Sequence, residues 1–98
     1  MGAYNSAMVL FDGLPGAELV VAGLRDLEAG IESVPALLVS IGAPRLKRFG
    51  VAIARVEADP EHRLYRLLLQ DGADAAHARY NALVRRLVSF ERALACVA

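Results

Sequence analysis

His62 and His77 are the only histidines of the chain and Cys96 is its only cysteine, so a metal or nucleophilic centre would have to be built around these three. Glu61, Asp71 and Asp74 stand close in sequence, but none of these groups makes a recognised metal-ligand spacing. Asp74 and His77 are three apart and would share a helical face, yet Asp74 reads equally well as a first-turn acid facing the positive end of a helix dipole. Cys96 closes an apolar run with no base beside it in sequence, and Ser6, Ser33, Ser40 and Ser89 lack the strand-turn-helix elbow that exposes a serine nucleophile. No glycine-rich loop is available to cradle a phosphate. The expectation is therefore no metal and no cofactor, and an enzyme would need a site assembled from distant positions.

Charged residues are zoned along the chain. Asp12, Glu18, Asp26, Glu28 and Glu32 face only Arg25 in the N-terminal third, whereas Arg45, Lys47, Arg48 and Arg55 form one basic group and Arg79, Arg85, Arg86 and Arg92 another. A helix followed by Gly42 and a short basic segment over residues 44–49 suggests a helix-turn-helix arrangement, with Arg45, Lys47 and Arg48 presented to nucleic acid. Gly50 cuts that segment short, and Arg48 stands where such motifs bury an apolar residue. His77, Asn81, Arg85, Ser89 and Arg92 descend one side of a long helical pattern as a polar stripe, a candidate contact for an anion or an acidic partner and, in the plainer reading, a solvated face.

The elements that would position these groups follow from composition and periodicity. The 98 residues, 56% hydrophobic and 22% charged, suit a single packed domain over 1–98. Eleven basic residues balance eleven acidic ones, which is not the positive surplus of a general nucleic-acid binder. Lys47 is the one lysine among the basic residues, as a GC-rich bacterial coding bias would produce. A lone cysteine fits a reducing, cytoplasmic setting, Met1 to Leu10 lacks the positive region of a secretory signal, and the uncharged stretch from Ser33 to Pro44 falls well short of the ~20 residues of a membrane-spanning helix.

Pro15, Gly16 and Glu18 open a first helix over residues 15–29 that Gly30 closes, with Val20, Leu24, Leu27 and Ile31 on one face. Ser33 caps a second over 34–41, and Pro44 divides it from a short turn of helix at 44–49. Asp59 as cap and Pro60 at the first helical position start a third over 60–71, whose leucines make it the expected central helix and whose Asp59 pairs with Arg63. Gly72 ends it. Residues 73–97 contain neither glycine nor proline and form one long helix. The fold class is all-α, a small four-helix bundle with a long C-terminal helix. The alternative is α+β, with a minor two-stranded element pairing Ala7 to Phe11 with Val51 to Val56; otherwise residues 51–57 are a connector.

Down the long helix, Ala76, Tyr80, Leu83, Leu87, Phe90, Leu94 and Val97 recur at alternating steps of four and three, a continuous 3.5-residue seam. A helix of this length extends about 37 Å and spans or overhangs a compact domain, leaving an apolar end that another chain would cover. Tyr80, Leu83, Leu87, Phe90, Leu94 and Val97 are thus a candidate interface for a second copy, with Arg86 and Glu91 at the positions that exchange charges across a parallel pair; the same seam also suits the interior of a monomeric bundle. The functional expectation is a non-catalytic interaction or regulatory module, homodimeric and partnered with a larger protein. Nucleic-acid binding through 44–49 is the alternative, a small enzyme the remaining one.

Overall fold

The computed structural model describes residues 11–97 of the 98. Among the described residues four α-helices follow one another: α1 (Ala17–Ala29), α2 (Val34–Arg48), α3 (Pro60–Leu68), extended by a 3-10 turn at Leu69–Asp71, and α4 (Ala73–Val97). The all-α bundle with a long C-terminal helix is what the sequence led us to expect. No strand occurs among the described residues. Ala7 to Leu10, half of the alternative strand pair, lie outside them. Residues 51–57 form an irregular connector, in which buried Val51 and half-buried Ile53 pack on the core. Their alternation comes from a chain lying over a helical core.

Local signals set most helix ends. Gly30 adopts φ 76°, ψ 24° and its N–H closes back on Asp26 and Leu27, a left-handed stop that glycine makes without steric cost. Ser33 Oγ accepts the Ala36 N–H at 3.1 Å and donates to Asp26 Oδ2 at 2.6 Å, which fixes the corner between α1 and α2. The chain direction turns there by 97°. Such a corner needs close approach: a Cβ on buried Gly23 of α1 would stand 2.3 Å from the Pro35 carbonyl oxygen and 2.4 Å from Val39 Cγ2.

One expected boundary fails, and one expected cap takes another form. The helix does not divide at Pro44; α2 runs on to Arg48 with Pro44 inside it. The proline removes the N–H that would reach the Ser40 carbonyl, but Leu46 beyond it is fully buried, and that burial carries the helix across the break. Asp59 does precede α3, yet with φ 49° and without a side-chain cap bond; its carboxylate lies 3.5 Å from His62 Nδ1 instead. Arg63, expected to pair with Asp59, reaches Glu32 and Glu57. Ile31 falls beyond the αL stop and is 51% exposed, so it is not part of the α1 face.

The core comprises two clusters on either side of α2. Val20, Leu24, Leu27, Ala36, Val39, Leu46, Phe90 and Leu94 belong to one, joined by Phe11, whose ring meets that of Phe90 edge-on at 5.1 Å. Leu37, Leu38, Leu64, Leu68, Ala76 and Leu87 form the other. The central helix is therefore α2, buried at five consecutive positions from Ala36 to Ser40. It is not α3, of which only Leu64 and Leu68 are buried and Leu69 is exposed. Ser40, a polar group in this core, donates to the Ala36 carbonyl at 2.9 Å and accepts the Glu57 N–H at 3.0 Å, pinning the connector to α2. The longest extent of the molecule is 39 Å, close to the ~37 Å of a 25-residue helix; α4 spans the bundle end to end.

The Gly23 contact gives a substitution whose sign is informative. At an open helical position alanine for glycine stabilises by roughly 0.5–1 kcal/mol. Gly23→Ala should instead destabilise by about 2–3 kcal/mol through overpacking against backbone, lowering Tm by roughly 10–20 °C in a thermal melt followed by circular dichroism. An unchanged or higher Tm contradicts the close approach.

Candidate interaction groove

The seam of α4 is occupied by the chain itself. Ala76, Leu87, Phe90 and Leu94 are buried, Tyr80 and Leu83 are half-buried against the cluster around α3, and only Val97, 54% exposed, faces solvent. Tyr80 meets Tyr65 edge-on at 5.8 Å, and burial, reinforced by the Glu61 carboxylate, raises its phenol pKa. The charges proposed for exchange between copies also have partners within the chain: Arg86 pairs with Glu18 of α1, and Glu91 with Arg45 of α2. The candidate interface for a second copy thus coincides with the interior of one molecule, except at its last residue.

The polar stripe lies at the surface along its whole length. His77, Asn81, Arg85, Ser89 and Arg92 are all exposed, with Asn81 Nδ2 3.4 Å from His77 Nε2. Arg45, Lys47 and Arg48 are not a separate recognition segment but the basic last turn of α2, where cations meet the negative end of the helix dipole. Of the groups considered for chemistry, the Ser33 and Ser40 hydroxyls are engaged in backbone and cap bonds. No group of three or more His, Cys, Asp or Glu residues among the described ones is placed to hold a metal, and no single described helix is long and apolar enough to cross a membrane.

The fold does bring together residues that the sequence leaves apart. Where α2 ends beside the C-terminal half of α4, Arg45 and Phe49 on one side and Val88, Glu91, Arg92 and Ala95 on the other line an open groove of about 470 Å³. Val88, Glu91, Arg92 and Ala95 follow at steps of three, one and three, so they present adjoining faces of one helix. Phe49 and Val88 are half-buried and supply an apolar floor, whereas Arg92 is exposed on the rim. Arg92, Arg85, Lys47 and Arg48 make no ion pair among the described residues.

Glu91 is the unusual member. Its side chain is 7% exposed while that of Arg45, bonded to its Oε1 at 3.3 Å, is 67% exposed. The other oxygen, Oε2, is buried with no hydrogen-bond partner among the described residues. A Cβ on Gly42 would lie 2.8 Å from Oε2 and 2.9 Å from Leu87 Cδ1, so glycine at that turn of α2 leaves the space the carboxylate enters. A half-satisfied carboxylate in a desolvated position is costly; here it holds one arginine over the groove, with further guanidinium N–H donors still free to point outward. Neither this role nor the apolar floor was anticipated from the sequence. The available signal was an acid bracketed by Leu87 four residues before and Leu94 three residues after, on the buried face of α4.

Comparison with protein-family models, with curated proteins and with solved structures returns no match.

The pair makes an asymmetric prediction. Arg45→Ala strips a buried carboxylate of its one ion-pair partner among the described residues and should cost about 1–2 kcal/mol, more than the 0.2–1 kcal/mol typical of an exposed pair. In a Glu91→Gln background the same truncation should cost less than about 0.5 kcal/mol. Urea melts of the four proteins check this, and equal costs in both backgrounds contradict the coupling.

Proposed function

We propose that this chain is a non-catalytic protein-interaction module, of regulatory or adaptor type, that binds through the groove between the end of α2 and the C-terminal half of α4. The observation that carries the reading is an open apolar floor flanked by arginines, one of them without an ion-pair partner among the described residues. A buried contact core with arginine at its edge is the composition of binding hot spots. Several charged groups elsewhere on the bundle are matched within the chain, as Arg86 with Glu18, Arg79 with Asp71 and Arg63 with Glu32, and such exposed pairs leave little local charge for a partner to read.

The seam supports self-association less well once its residues fill the chain's own core, and the reading therefore rests on the groove. The basic end of α2, first considered for nucleic acid, contributes Arg45 to this same wall. A chain with zero formal charge offers few of the phosphate contacts that sustain nucleic-acid affinity at physiological salt.

A photo-crosslinking residue placed at Ala95, in the groove, should yield a discrete protein adduct in the cells of origin, while one at exposed Glu28 on α1 should not. Equal labelling from both positions, or none from Ala95, contradicts the reading.

A further inference from the structure

We infer that the occupant of the groove is an acidic amphipathic helix of another protein, laid alongside α4 with its apolar side chains on Phe49 and Val88 and its carboxylates on the flanking arginines. This rests on the interaction-module reading and specifies its partner.

Charge decides the chemistry of the occupant. Within the groove the Glu91 carboxylate is engaged by Arg45 through Oε1, which leaves Arg92 and the outward donors of Arg45 as the polar groups on offer. Both are guanidinium groups, whose forked donors suit carboxylates bidentately. On α4, Arg85 and Arg92 are both exposed and make no ion pair among the described residues. They stand seven residues apart, two turns or about 10.5 Å. A helix lying alongside presents acids at its own seven-residue spacing over the same distance, with apolar residues between them aimed at the floor. That is the helix-in-groove mode, with affinity from apolar anchors and orientation from charge.

The same charges disfavour a second copy as the occupant. An isologous contact sets a patch against itself and would oppose Arg45, Arg85 and Arg92 to their own counterparts. Of the acids of α1 that a head-to-tail copy would offer, Glu18 is committed to Arg86 and Asp26 to Ser33, which leaves exposed Glu28 as a single carboxylate rather than two at seven-residue spacing.

Glu91 acts in this scheme as a positioning residue. Its buried carboxylate fixes Arg45 at the wall of the groove, and Glu91→Gln should weaken binding of an acidic helix with little effect on the fold.

The test uses the full chain and fluorescence anisotropy with three labelled probes. One is a synthetic eighteen-residue helix with leucines at three-and-four spacing and glutamates at seven-residue spacing; the second replaces every glutamate by lysine; the third is a mixed-sequence DNA duplex. The acidic helix should bind in the micromolar range, at least about tenfold more tightly than the other two, and should lose about tenfold or more with Arg85→Glu/Arg92→Glu. Both substitutions are at exposed positions, and circular dichroism verifies the fold. Equal binding of the acidic and basic helices, tighter binding of DNA, no saturation by the acidic helix below about 100 μM, or indifference to the double substitution overturns the proposal. Its failure is separable from that of the module reading: an Ala95 adduct that survives Arg85→Glu/Arg92→Glu keeps the module and removes the acidic helix, whereas absence of any Ala95 adduct removes the module itself.

Discussion

A helix with apolar residues on more than one side must be wrapped, and α2 is that helix. Ala36, Val39 and Leu46 serve one cluster while Leu37 and Leu38 serve the other, so neither α1 nor α3 alone can shield it. Burying a leucine-sized side chain contributes about 1.5–3 kcal/mol, which makes covering both sides the dominant constraint on the chain. The long helix α4 meets it by spanning the bundle, giving Ala76 and Leu87 to the cluster around α3 and Phe90 and Leu94 to the cluster around α1. The seam that reads as a coiled-coil stripe is the strip by which one helix closes two half-cores.

The groove follows from where that wrapping stops. As α2 approaches its end its buried positions thin to Gly42, Ala43 and Leu46, and α4 continues beyond with only Leu94 fully buried in its last turn and a half. Between the two, Phe49 and Val88 are half-covered, and Glu91 enters the space left by Gly42. The carboxylate is tolerated there because Arg45 meets one of its oxygens. A structural compromise at the edge of the core thereby becomes a charged, partly apolar surface, the type of surface on which recognition is built.

What could be read in the sequence was local. Gly30, Ser33 and Gly72 act through backbone geometry and capping that depend on a few neighbours, and the uninterrupted run from Ala73 to Val97 needs only helix propensity. Pro44 misled because its local penalty is outweighed by the burial of Leu46, a tertiary fact. Ile31 belongs to the periodic pattern of α1, but the αL turn at Gly30 takes it off that face. The 3.5-residue spacing of the seam is the same whether its mate is a second chain or the chain's own interior. The groove was not legible because it joins Arg45 to Glu91, 46 residues apart in sequence, and no spacing rule reaches that far. Only one of its lining residues, Arg92, belonged to the stripe, and another, Arg45, to the basic segment.

The central claim is that the apolar seam of α4 is satisfied within one molecule. Thermal unfolding followed over about a hundredfold range of protein concentration tests this most directly, because folding coupled to self-association makes Tm depend on concentration and folding of an independent chain does not. A Tm that stays constant across the range is the predicted result. A Tm that climbs steadily with concentration would show that the bundle requires a second chain and would contradict the account.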